Sequence, residues 1–185
     1  KAKKCNENCV QFIENKNKYY VDYLLSNMKN YIDIIIPRGG KNLIKKVKKK
    51  STVPTIGHLE GICHVYVDRD AKLDMAIKIV ENSKMRNVSI CGAVETLLID
   101  KKCLKTHCKP ILQKLSNLGC KIIGDKKIKN IFLKNIKIAK IKDWHTEYLA
   151  PIISVKCVDD VKEAIKHINK YGTSHTDSIV TQNNK

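Results

Sequence analysis

The chain has 185 residues, enough to bury the core of one domain or slightly more, and a composition 43% hydrophobic and 29% charged excludes a disordered tail. No apolar run approaches the roughly 20 residues of a membrane span, and no signal-peptide core follows the first residues, KAKKCNENC, so the sequence predicts a cytoplasmic protein. A formal net charge of +18 raises nucleic-acid binding, but only Arg38, Arg69 and Arg86 are arginines among 36 basic residues and aromatics make up 5%, leaving little for bidentate phosphate recognition or base stacking.

Residues 1–18 are polar, rich in Lys and Asn, and read as an arm. Apolar residues at helical spacing follow over 21–28, then an apolar strand over 31–37, YIDIIIP, which PRGG ends. Leu43, Ile44 and Val47 recur at helical spacing up to residue 50 and complete a strand–helix unit. A turn at 51–54 leads to a strand over 62–67 and a helix over about 73–84, with Leu73, Ala76, Ile77 and Val80 on one face. A loop carrying Cys91 comes next. It is followed by a strand over 94–99, a helix over 104–118, a strand over 120–123 and a less regular strand within 136–141. The last elements are a strand over 152–158, a helix over 159–171 with Asp159 or Asp160 as N-cap, and a strand over 178–180.

Strands alternating with crossover helices predict an α/β protein with a largely parallel sheet. The chain contains no internal repeat. A boundary near residues 86–91 divides it into the arm, a block over 19–86 and a block over 87–185. With Lys1 first and TQNNK following directly on a strand, the sequence predicts a piece of a longer protein.

Eight cysteines without a secretory signal are expected to be reduced thiols. Cys5 with Cys9, and Cys103 with His107 and Cys108, have spacings zinc tolerates, but neither group has a C-x-x-C pair, and no metal is expected. Cys63, Cys120 and Cys157 lie in or beside strand-like runs and read as small core residues. Cys91 differs. It sits in a loop with Ser89 before it and Gly92 after it, which lets the backbone approach a ligand, and a loop thiol is open to become a nucleophile.

The tracts YIDIIIPRGG, VPTIGHLEGICHVYVD, SICGAVETLLID, TEYLAPIISVKCVDDVKEAIKHI and YGTSHTDSIVT, in that order, resemble the gamma-glutamyl phosphate reductase family of the aldehyde dehydrogenase superfamily. The resemblance implies an aldehyde dehydrogenase-like α/β fold, with 19–86 the trailing part of a Rossmann-type NADP-binding domain and 87–185 a catalytic cysteine domain. It implies that Cys91 attacks gamma-glutamyl phosphate to form a thioester that NADPH reduces to glutamate-5-semialdehyde, a step of proline biosynthesis. It also places Arg38, Gly39, Gly40 and Glu147 against the cofactor, Glu147 on the nicotinamide ribose. His58 falls near the general base of hydrolytic relatives and is read, with His64, as structural. Glu95, His175 and Asp177 match family tracts without an assigned role. Val88 and Gly92 stand where the family has proline and asparagine. The implied partners are the small-molecule substrate and either a complementing polypeptide or a second copy of the chain. The competing reading is a non-catalytic basic module that binds nucleic acid or an acidic protein surface.

Overall fold

The computed structural model describes residues 6–57, 60–132 and 136–184. His58 and Cys5, both singled out above, lie outside the described residues. The chain divides into two compact units, Lys1–Leu59 and Glu60–Lys185.

In the first unit a short 3-10 turn, Glu7–Cys9, precedes helices α1 (Lys18–Asn27) and α2 (Lys41–Lys50). Asn17 caps α1 by accepting the Tyr19 N–H at 2.9 Å. Leu25 of α1 and Ile44 and Val47 of α2 are buried, while Asp22 pairs with Lys46 at 2.8 Å and Lys50 at 3.3 Å. The apolar stretch over 31–37 is not a strand. Among the described residues it pairs only through the single bridge of Ile35 with Thr55, and Tyr31, Ile34 and Ile36 are exposed. Apolar β-branched composition alone does not make a strand where no neighbouring backbone continues the ladder.

The second unit is a six-stranded, all-parallel sheet in the order β4-β3-β5-β2-β1-β6. Its strands are β1 (Cys63–Val67), β2 (Val94–Asp100), β3 (Lys121–Gly124), β4 (Lys137–Ile138), β5 (Ile152–Val158) and β6 (Asp177–Val180). The crossover helices are α3 (Leu73–Met85), α4 (Leu104–Asn117), α5 (Lys126–Ile131), α6 (Ile141–Trp144) and α7 (Val161–Tyr171). Every residue of β1 and β2 is buried, as expected of central parallel strands covered on both faces. Val65, Val67, Leu97 and Ile99 point to the face covered by α3 and α4, where Val80, Ile111, Leu112 and Leu115 complete the main core. Tyr66, Leu98 and Val158 point the other way, against Ala164 and Ile168 of α7.

The stretch over 136–141 yields only the two-residue β4, because Lys140 N–H donates to Asp143 Oδ2 at 2.7 Å and turns the chain into α6. Within the unit Glu60–Lys185, β1 and α3 are joined to the cysteine-bearing half through β1–β2 and β1–β6 pairing.

Candidate active site

At one end of the second unit, four loops lead into the neighbouring strands β5, β2, β1 and β6, and they carry Glu147, Cys91, Gly61 and His175 respectively. Open α/β sheets usually gather ligands beyond the carboxyl ends of their strands. Here the chemistry-bearing residues stand at the amino ends. Leu149 (φ 49°) and Ser174 (φ 56°), the two non-glycine residues with positive φ among the described residues, lie in these same loops. Such backbone costs roughly 1–3 kcal/mol and concentrates where a site over-determines it.

Cys91 is exposed, in a turn closed by the Ala93 N–H donating to the Ile90 carbonyl at 3.0 Å. Its carbonyl is held from beneath. A Cβ placed on Gly61 would lie 2.0 Å from the Cys91 carbonyl oxygen, so only glycine permits this approach. The Cys63 thiol donates to the same oxygen at 3.1 Å. Cys63 is thus a core residue by burial but a polar neighbour of the loop by contact, and burial pushes its thiol up to about 11.

Glu147 is brought to the same place. Its Oε1 accepts the Gly61 N–H at 2.8 Å, so one glycine touches the cysteine loop with its α-carbon and the carboxylate with its nitrogen. Glu95 stands behind both. Fully buried, it pairs through Oε2 with the equally buried Lys84 at 2.7 Å, and its Oε1 accepts the Leu149 N–H at 3.3 Å. Burial raises the Glu95 carboxyl above its ordinary range, opposed by the Lys84 ammonium and by the N–H groups of Leu149 and Tyr148. Glu95 therefore fixes the turn that presents Glu147.

On the β6 side, Thr173 Oγ1 accepts the Ile62 N–H at 3.0 Å, and His175 Nδ1 lies 3.7 Å from Cys63 Sγ and 2.8 Å from Thr176 Oγ1. Asp177 serves a different residue: its Oδ1 accepts the His64 backbone N–H at 3.1 Å and lies 2.8 Å from His64 Nδ1. His64 is buried, and burial lowers its pKa against the pull of Asp177. Its placement is that of a structural histidine.

Arg38, Gly39 and Gly40 are in the first unit, exposed, at the start of α2. Gly39 takes φ +156°, and a Cβ there would meet Leu43 at 2.7 Å. Gly40 is the N-cap, makes no side-chain cap, and has open space where a Cβ would stand. A ten-residue helix whose N-cap makes no side-chain hydrogen bond has first-turn N–H groups whose chemistry suits a phosphate. Cys103, His107 and Cys108 are otherwise engaged: Cys103 and Cys108 lie in the core, and His107 Nε2 reaches the Ala71 carbonyl at 3.0 Å. Among the described residues no group of three or more His, Cys, Asp or Glu is placed to hold a metal ion, and no helix is long and apolar enough to cross a membrane.

Sequence reasoning singled out Cys91 and Glu147 and missed Gly61, Lys84 and the polar side of Cys63. Gly61 was legible only as one glycine among eight, and its two contacts come from residues far along the chain.

The parallel α/β sheet of the second unit, with an exposed cysteine in the loop before a central strand, has an aldehyde dehydrogenase-like fold. The same fold occurs in an acetylating aldehyde dehydrogenase from Geobacillus thermoglucosidasius, with a TM-score of 0.60 at 19% identity over 84% of this chain and 43% of that one. Within that class the chain is a homologue of the gamma-glutamyl phosphate reductases. It is 45% identical over 177 residues to that of Parvibaculum lavamentivorans, covering 96% of this chain. The crystal structure of gamma-glutamyl phosphate reductase from Thermotoga maritima superposes with a TM-score of 0.88 at 37% identity, over 94% of this chain and 42% of that one. The chain spans about two fifths of the length of the curated relatives it matches, 42% in the first case. Compared with models of known protein families, it matches none.

Proposed function

We propose that this chain carries the thiol centre of an NADPH-dependent reduction of L-gamma-glutamyl phosphate to glutamate-5-semialdehyde, a step of proline biosynthesis. The observation that supports it best is the convergence of an exposed Cys91 and the Glu147 carboxylate on Gly61, in a chain homologous to reductases of that name.

In this reading the Cys91 sulfur attacks the acyl carbon of the substrate, and the carbon–oxygen bond to phosphate breaks. A thioester remains on Cys91 and inorganic phosphate leaves. NADP(H) supplies the hydride when bound. Cys91 holds the resulting thiohemiacetal, whose collapse releases the aldehyde and returns the thiol. Gly61 and the Cys63 thiol fix the Cys91 carbonyl, which holds the sulfur in one place while substrate and product exchange. Glu147 is the acceptor offered to the ribose hydroxyls, and Arg38, Gly39 and Gly40 offer a cation and backbone N–H groups to phosphate. Each group fits by its own chemistry: a carboxylate accepts from hydroxyl donors, and helix N-terminal N–H groups favour an anionic phosphate.

The test is the reverse reaction. The chain is incubated with glutamate-5-semialdehyde, phosphate and NADP, alone and together with the remaining segments of a homologous reductase supplied as a separate polypeptide. NADPH formation that disappears in Cys91→Ser is the expected result, and no NADPH in either mixture rejects the reading. The second polypeptide addresses complementation, and sedimentation of the chain alone addresses self-association.

A further inference from the structure

We propose that Cys63 and Cys91 form a reversible redox pair, in which Cys63 resolves an oxidised Cys91 as an intramolecular disulfide. Cys91 is exposed at the surface of its loop, and the Cys63 sulfur sits directly beneath, 3.1 Å from the Cys91 carbonyl oxygen. Among the described cysteines of the second unit, Cys103, Cys108, Cys120 and Cys157 are buried in the main core, and Cys63 is the thiol in contact with the Cys91 loop. The backbone already brings the two residues together: a Cβ on Gly61, two positions before Cys63, would stand 3.1 Å from the Cys91 α-carbon. Gly92, which follows Cys91, has open space where a Cβ would be.

The environments assign different roles to the two thiols. Burial above all, with Asp177 and the Cys91 thiol adding to it, keeps Cys63 protonated at neutral pH, so solvent-borne peroxide meets Cys91 first. The Cys91 sulfur attacks a peroxide oxygen; the O–O bond breaks, water leaves, and Cys91 becomes a sulfenic acid while the peroxide is reduced. Cys63 then needs a base. His175 Nδ1, 3.7 Å from Cys63 Sγ, takes its proton when the imidazole carries its own on Nε2. The Cys63 sulfur attacks the Cys91 sulfur, the S–O bond breaks, and the departing hydroxide collects the proton as water. Two thiols and one hydrogen peroxide give one disulfide and two waters. The disulfide withdraws the Cys91 sulfur from chemistry and protects it from irreversible sulfinic and sulfonic oxidation, and a small dithiol restores it. This exchange is independent of the reductase reading.

The test treats the reduced full chain with hydrogen peroxide, caps remaining thiols and maps peptides by mass spectrometry. The expected product is a single cross-link between the peptides holding Cys63 and Cys91, lost on adding dithiothreitol. In Cys63→Ser, whose hydroxyl still serves the Cys91 carbonyl, the cross-link is absent, dimedone traps a Cys91 sulfenic acid, and sulfinic acid accumulates several-fold faster than in the parent. In His175→Gln, cross-linking slows several-fold while the first oxidation of Cys91 keeps its rate. Over-oxidation of Cys91 at equal rates in the parent and in Cys63→Ser overturns the proposal, as does a disulfide from Cys91 to any other cysteine or to a second chain.

Discussion

The Lys84 ammonium lies 2.7 Å from Glu95 Oε2, with both side chains withdrawn from solvent, and this pair ties the last turn of α3 to the start of β2 across the loop that carries Cys91. Removing one member of a buried pair strands the other charge and costs about 3–5 kcal/mol, whereas neutralising both is often nearly free. Lys84→Met is therefore expected to lose about that much stability in urea unfolding. Lys84→Met with Glu95→Gln should regain most of it, since the amide oxygen still accepts the Leu149 N–H. Equal losses in the single and double variants would show that charge pairing is not what Lys84 contributes.

Gly61 makes a sharper steric demand. Gly61→Ala places a methyl carbon 2.0 Å from the Cys91 carbonyl oxygen, a backbone atom that only a shift of the whole loop can clear. Such overpacking costs about 1–3 kcal/mol. The rate of Cys91 alkylation by iodoacetamide should change several-fold with it. Gly92→Ala, one residue beyond the same cysteine, meets open space and is the control. An alkylation rate in Gly61→Ala equal to that of Gly92→Ala would mean that the glycine does not position the cysteine loop.

The sheet was legible wherever apolar runs were long and bounded: β1, β2 and β5 and helices α3, α4 and α7 lie where periodicity places them. Their residues carry the pattern themselves. α5 was missed because KKIKNI has too few apolar residues to show a face, and what starts it is Asp125, whose Oδ1 accepts the Ile128 N–H at 2.9 Å. The site divides in the same way. A loop cysteine and a carboxylate in TEYLAP are visible as residues, but the glycine that joins them and the ion pair behind them are tertiary facts spread over residues 61, 84, 95 and 147. The apolar stretch over 31–37 shows the converse, strand-like composition without a ladder.

Asp125 also accepts the Cys157 N–H at 2.8 Å through Oδ2, so one carboxylate starts α5 and closes the backbone of β5. Losing a cap and leaving a second N–H without its acceptor together cost about 2–3 kcal/mol. Asp125→Ala is expected to show that loss in urea unfolding, and Asp125→Asn, which keeps an acceptor oxygen for the cap, a smaller one. A loss under about 0.5 kcal/mol in Asp125→Ala, the size of an ordinary surface substitution, would remove Asp125 from both roles.

Acid should loosen the second unit through His167. Its ring packs between Trp144, Tyr171 and His64, with centroids 5.2, 4.6 and 5.6 Å away, and Nε2 has no hydrogen-bond partner among the described residues. Burial, helped by the charges of Lys156 and Lys170 and by His64, lowers its pKa from 6.5 to about 3. The folded chain thus keeps His167 neutral while the unfolded chain protonates it below about pH 6.5. The unfolded state binds more protons between these values, and stability falls as pH drops from about 6.5 towards 3, by up to about 1.4 kcal/mol per pH unit from this one group. Below about pH 3 the folded chain takes up the proton too and the slope from His167 ends. His167→Phe keeps the aromatic packing and removes the titration, so urea unfolding across that window should show a clearly shallower pH dependence. A slope remains from His64, which burial shifts in the same direction against Asp177. An unchanged slope in His167→Phe would mean that another group carries the acid sensitivity.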